Sequence, residues 1–255
     1  VQTRAMTGRF PDAVLVTHAG GGNLTGTARG LRKAGAASTE VVAVSVDLSG
    51  LHMASDRDFN RKSFTTGHTG FSLPFTTWPD RADVPRSAAR PLRYMDRFVT
   101  VTQGEVFYAT EALATLEGLE RGPAGNTSLA AALVIAQGME SEQVLVVQET
   151  EYTGAGKHPI AQLSLARQLG IEVRRGEPRE NQPGHNIVIP EHPSQLAVVD
   201  LDLPGIRLSY LRNALATLEP GQSASQHDIE FLAADSGASA ATVNRIMEQN
   251  HAQDR

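Results

Sequence analysis

Residues 15–31 read LVTHAGGGNLTGTARGL: an apolar run ends in a histidine, three consecutive glycines follow, and a helix-like stretch begins at once. A strand, a glycine-rich turn and a helix N-terminus form an anion site, because unpaired helix amides point outward and glycine lets a ligand approach the backbone. Three glycines exceed what a tight strand-to-helix turn needs. His18, directly before them, stands where open α/β sheets bind their ligands, at the carboxyl end of a strand. A second concentration lies in VVQETEYTGAGKHP, residues 146–159, where Glu149, Glu151, Tyr152, Lys157 and His158 crowd a glycine-containing segment. So many titratable groups on one loop are more characteristic of a site than of ordinary surface. His68, in GHTG, has the same standing.

Several chemistries are excluded or weakened by spacing. No Lys-Ser or Lys-Thr pair follows the glycines, so they do not form a Walker loop. A dinucleotide fingerprint survives in part: Gly20 and Gly22 match its first two glycines, Thr25 occupies the place of the third, and Gly26 comes one position late. Asp47, ending the next strand, is then placed to take a ribose hydroxyl. His185, Glu191 and His192 lack the compact spacing of a zinc site, and no metal is expected. The chain has no cysteine, which removes disulfides, thiolate metal sites and a cysteine nucleophile from it. Its lysines are Lys33, Lys62 and Lys157. Glu105 and Glu111 read as parts of a solvated helix face.

These residues need a scaffold, and the hydrophobic patterning supplies one. Continuous apolar runs at 13–18, 40–47, 97–102, 143–149 and 186–191 predict buried strands. Helical spacing at 24–34, 104–117, 127–138 and 159–169 alternates with them. That alternation predicts an α/β fold, a mostly parallel sheet with helices on both faces. Residues 50–96, rich in Gly, Ser, Thr, Pro and charge, read as long loops with short helices. From about residue 200 the pattern turns helical, at 203–218, 225–236 and 239–250, with Ser225 and Ser239 as N-caps and Gly237 ending the middle helix. The chain thus divides into an α/β domain, 1–199, and a C-terminal helical appendage, 200–255.

The last two helices have the outline of a DNA-binding helix-turn-helix, but the second offers only Arg245 as a cation, which favours a capping or oligomerisation role. With 255 residues, a net charge of -5 and a pI near 5.9, the chain presents no basic field for nucleic acid. No apolar run approaches the roughly 20 residues of a membrane span. No signal-peptide-like start is visible either, so a cytoplasmic protein is expected.

The succession of motifs resembles the fold type II pyridoxal-phosphate enzymes, the tryptophan synthase β-like group that includes the cysteine and threonine synthases. AGGGNLTGTARGL is similar to the family's phosphate loop, in which glycines lead into Leu-Thr-Gly. The strand VVAVSVD follows, then the glycine-containing loop TTGHTGFSLPF (65–75) and FVTVTQGEVFYATEAL (98–113). EGLERGPAGNTSLAAAL (117–133) resembles the start of the family's alanine-rich helix, and QVLVVQE its closing strand. Segments 146–159 and 188–195 (VIPEHPSQ) further resemble a thiolase branch, in which β subunits act with a small α-type companion on a γ-keto amino acid and coenzyme A.

The resemblance implies pyridoxal 5'-phosphate as cofactor, its phosphate held by Ala19, Gly20, Gly21, Gly22 and Asn23. It implies coenzyme A as co-substrate and an acyltransferase of ornithine degradation; His18, by its strand-end position, and Tyr152, Lys157 and His158, by the density of titratable groups, are the candidate catalytic groups. For the pyridine nitrogen it leaves two registers. One places Ser128 at the family's hydroxyl position; the other places Ala124 there and leaves Thr127 or Asn126 to compensate. The family's Schiff-base lysine lies in a domain far upstream of the glycine loop, which here begins about twenty residues into the chain. The expectation is that a companion polypeptide carries that lysine domain, or that the chain is the C-terminal part of a longer one. In both cases a tight partner, within a dimer of heteromers, covers the sheet's exposed edge. Three other readings stay open: another fold type II lyase or synthase, a nicotinamide-dependent oxidoreductase using Gly20, Gly22 and Asp47, and a non-catalytic module that keeps only the phosphate loop.

Overall fold

The computed structural model describes residues 2–18, 21–47, 91–123, 125–149, 159–168, 170–182, 185–216, 218 and 224–253. Its strands in chain order are β1 (Ala13–Thr17), β2 (Glu40–Val46), β3 (Arg97–Val101), β4 (Leu145–Gln148), β5 (Glu172–Arg175), β6 (Asn186–Ile189) and β7 (Val199–Asp200). Its α-helices are α1 (Gln2–Thr7), α2 (Gly22–Lys33), α3 (Gln103–Glu117), α4 (Thr127–Ile135), α5 (Pro159–Gln168), α6 (Leu203–Leu215), α7 (Gln226–Ser236) and α8 (Ala240–Gln253). None of the helices among these residues is long and apolar enough to cross a membrane.

The central sheet runs β4-β1-β2-β3-β7, parallel except for β7, which pairs antiparallel with β3; β5 and β6 form a separate parallel pair. Burial on both faces explains why the strand sequences are continuous in hydrophobicity instead of alternating. One face packs Leu15, Val44 and Val99 against α3, α4 and α5 through Phe107, Ala131 and Ala166. The other packs Val14, Val16 and Phe98 against α2 and the start of α6 through Leu24, Ala28, Leu203 and Ile206. The rest of α6 turns to a third core, where Leu211 and Leu215 meet Ile229 of α7 and Val243 and Ile246 of α8. Ser225 and Gly237 cap α7 as the sequence predicts, Gly237 in the left-handed region at φ 75°.

α1, β5 and β7 escape the sequence pattern, as does the burial of Glu105. β5 reads EVRR, with three of its four residues charged and both ends exposed, and so gives no apolar signal. Glu105 is a correction: it is not on a solvated face but fully buried at the first turn of α3. Its carboxylate accepts the N–H groups of Thr102 at 2.6 Å and Ala197 at 2.8 Å, and Arg179 grips it at 2.6 Å. Next to it, a Cβ added to Gly104 would lie 1.6 Å from the Val188 carbonyl oxygen, so glycine is what lets α3 touch β6. Glu111 is partly exposed and pairs with Arg175.

Candidate functional site

The site is built at the carboxyl end of β1. His18 prolongs the strand by one residue: its N–H donates to the Val44 carbonyl at 2.7 Å, and the Ser45 hydroxyl donates to its carbonyl at 2.6 Å. His18, Ser45 and Thr100 are all buried, and Ser45 pairs with Thr100 in the β2–β3 register. At this level polar side chains thus replace the valines and Phe98 below. The His18 ring stands edge-on to Phe98 at 5.2 Å between centroids. Neither ring nitrogen has a hydrogen-bond partner among the described residues. Burial pushes the imidazole down from its ordinary 6.5 to about 3, so it is neutral.

The glycines then start α2. Gly21 is its N-cap in the left-handed conformation, φ 77° and ψ -7°, and no side chain caps the helix. The first helical bond runs from Thr25 N–H to the Gly21 carbonyl at 3.0 Å, which leaves the amides of Gly22, Asn23 and Leu24 ahead of it. The first turn carries no acidic residue, and Gly22 and Asn23 are exposed. An anion therefore meets open amides and the positive end of the helix dipole.

A second helix start faces the same strand end. The Thr17 hydroxyl accepts Ser128 N–H at 3.2 Å and lies 3.2 Å from both the Gly125 carbonyl and the Ser128 hydroxyl. Ser128 is fully buried, its hydroxyl also 3.4 Å from the Gly125 and Gln148 carbonyls. Asn126 donates its amide nitrogen to Thr110 at 3.1 Å, while Thr110 donates to the Val106 carbonyl at 2.7 Å. The amide orientation is thereby set, and the buried Asn126 Oδ1 has no partner among the described residues. Thr27 of α2 donates to Gln148 at the end of β4 at 2.7 Å, tying the two sides together.

The structure thus brings His18, Gly21, Gly22 and Asn23 to one strand end, with Asn126, Thr127 and Ser128 beside it. Lys33 is exposed at the far end of α2. Ala19, Gly20, His68, Ala124, Tyr152, Lys157 and His158 lie outside the described residues. Sequence reasoning passed over Thr17 and Gln148, whose only signal was a polar residue closing an apolar strand.

A mostly parallel sheet with β1 leading into an uncapped, glycine-initiated helix defines an α/β domain whose helix N-terminus is open at the strand's carboxyl end. The chain belongs to the pyridoxal-phosphate dependent enzyme family, whose model matches residues 2–150. It is 61% identical over 246 residues to a 2-amino-4-ketopentanoate thiolase beta subunit of an unknown prokaryotic organism, and 58% identical over 249 residues to that of Acetoanaerobium sticklandii. These matches cover 96% and 98% of this chain but 52% and 53% of the relatives, so the chain spans about half their length. A solved O-ureido-L-serine synthase is similar at 22% identity and a TM-score of 0.42, covering 61% of this chain and 44% of that one. Family membership replaces the nicotinamide reading. The residues present fit the cofactor, since the open α2 amides suit its phosphate and Asn126 Oδ1 is an orphaned buried acceptor.

Proposed function

We propose that this chain is the phosphate-binding half of a pyridoxal-phosphate-dependent thiolase that converts 2-amino-4-oxopentanoate and coenzyme A to acetyl-CoA and alanine. The observation that carries the reading is the 58% and 61% identity to thiolase beta subunits over nearly the whole chain. The open N-terminus of α2 supports it independently. On this reading the amides of Gly21, Gly22 and Asn23, with Ala19 and Gly20 before them, hold the cofactor phosphate. The start of α4, with Asn126, Thr127 and Ser128, holds the pyridine side.

Pyridoxal phosphate, when bound, supplies an electron sink for the charge released at carbon 3 of the substrate. The chain itself binds, orients and shields. The coenzyme A thiol attacks the carbon 4 ketone and the C3–C4 bond breaks; this chain, which has no cysteine, offers no thiol to accept the acetyl group. Carbon 3 takes up a proton and becomes the methyl group of alanine. Neutral His18 serves as a hydrogen-bond partner beside the phosphate, and Tyr152, Lys157 and His158 are the candidate groups for proton transfer. The Schiff-base lysine comes from the half of the enzyme that lies outside these 255 residues, because a nucleophilic lysine needs a desolvated or charge-coupled setting.

Borohydride reduction of the active complex followed by peptide mapping tests this division. The pyridoxyl group is expected on a lysine outside these 255 residues; its appearance on Lys157 would refute this division. Acetyl-CoA release from 2-amino-4-oxopentanoate by the complex tests the reaction itself.

A further inference from the structure

Asn126 stands in the N-cap position of α4, where an asparagine ordinarily turns its side-chain oxygen onto the second or third amide of its helix. Here the Ser128 N–H, second in the helix, donates to the Thr17 hydroxyl instead, and Asn126 makes no cap bond. The residue is fully buried. Its amide is also fixed. The Thr110 hydroxyl gives its proton to the Val106 carbonyl at 2.7 Å, so it can only accept from Asn126 Nδ2, at 3.1 Å. Oδ1 is thus a buried acceptor of set direction, with no donor among the described residues.

An amide oxygen accepts a hydrogen bond and cannot give one. A neutral pyridine nitrogen would bring a lone pair against its lone pairs, whereas a pyridinium N–H would satisfy it. A hydroxyl, which can turn to donate, would take either form of the ring. Ser128, the hydroxyl nearby, already has the oxygens of Thr17, Gly125 and Gln148 around it. The carboxylates of the surrounding elements are engaged elsewhere. β1 and α4 contain no ionisable residue. On α3, which packs against α4, Glu105 and Glu111 pair with Arg179 and Arg175, and Glu117 is exposed at the far end. Glu149, past the end of β4, has a partner of its own, and burial keeps His18 neutral.

We infer that Asn126 holds the pyridine nitrogen of the cofactor in its protonated form, with Thr110 as the positioning residue that aims its oxygen. The inference rests on the proposed placement of the ring at the start of α4 and adds the charge state that this side chain selects. The proton comes from solvent. A pyridinium is the stronger electron sink, which suits a reaction that releases charge at carbon 3 of the substrate.

The experiment follows the nitrogen magnetic resonance of ring-labelled pyridoxal phosphate in the active enzyme as the pH is raised, because protonated and neutral pyridine nitrogens resonate far apart. The wild-type ring is expected to keep its proton to a pH about one to two units above that of Asn126→Ala, the tenfold to hundredfold effect of a buried acceptor that gains or lacks its donor. Asn126→Asp, which keeps an acceptor in place, is expected to match or exceed the wild type. Thr110→Val, which releases the amide, is expected to move towards Asn126→Ala, and Thr110→Ser to stay with the wild type. Identical titrations of wild type and Asn126→Ala overturn the inference. So does an Asn126→Asp enzyme whose ring loses its proton as early as that of Asn126→Ala. A Thr110→Val titration that coincides with the wild type overturns the role given to Thr110. The phosphorus resonance of the bound cofactor reports the parent reading separately. Bound phosphate with a ring nitrogen indifferent to Asn126 sinks the inference alone, and an enzyme that binds no pyridoxal phosphate sinks the placement together with it.

Discussion

The hydroxyl of Thr17 accepts the backbone N–H of Ser128 at 3.2 Å, so the strand that delivers the glycines also caps helix α4. Asn126, the residue in the N-cap position of α4, makes no side-chain cap bond. The two helix starts therefore share one support. Thr17→Val keeps the shape and removes the acceptor, at an expected cost of about 1–2 kcal/mol. Chemical denaturation measures it; an unchanged midpoint would show that the contact carries no energy.

The pyridine side separates Ser128 from Asn126. The Ser128 hydroxyl is surrounded by Thr17, Gly125 and Gln148, whereas Asn126 Oδ1 is an acceptor without a partner among the described residues. Ser128→Ala is expected to reduce stability with little change in the cofactor spectrum. Asn126→Ala is expected to shift that spectrum. The reverse pattern, read by visible absorbance of the complex, would return the role to Ser128.

Gly21 and Gly22 fail for different reasons when enlarged. Gly21 is in the left-handed region, where a β-branched residue is strained, so Gly21→Val costs about 1–2 kcal/mol and misaims the amides. A Cβ at Gly22 meets nothing within 4 Å among the described residues, so with Gly22→Val the fold is expected to hold while the side chain stands in the anion's space. Loss of pyridoxal phosphate should be sharp in both variants, and loss of stability larger in Gly21→Val. Equilibrium dialysis showing wild-type retention by Gly22→Val would remove this loop as the cradle.

Most of the scaffold is legible in the sequence because period and composition agree with burial. The runs at 13–18, 40–47 and 97–102 match β1, β2 and β3 to within a residue, each buried on both faces. β5 is not legible, because a short charged strand has neither period. The position of Glu105 is hidden for another reason: a capping-box glutamate and a solvated one look alike until Arg179 and Ala197, more than seventy residues downstream, are folded against it. The phosphate loop is local and so legible. Thr17 and Asn126 matter only through contacts across the chain.

Glu105→Ala would leave Arg179 and the Thr102 and Ala197 amides without their shared acceptor. Breaking one side of a buried pair costs about 3–5 kcal/mol, and the half-exposed Arg179 places this case at the lower end. Glu105→Gln retains size and part of the bonding and is expected to lose less. Equal losses in urea denaturation would assign the effect to packing instead of charge.

His18 gives the stability curve its acid limb. Burial depresses its pKa from 6.5 to about 3, so between these values the unfolded chain binds a proton that the folded chain refuses. Stability therefore rises with pH through this window, by up to about 1.4 kcal/mol per pH unit from this group, and its contribution is complete above the ordinary histidine value. Carboxylates titrate over the same range, so the informative quantity is the difference between wild type and His18→Gln. The variant cannot take up the proton, and its stability is expected to fall less steeply between pH 6.5 and 4. Parallel curves for the two proteins would mean that the imidazole is charged, or reaches solvent, in the folded state.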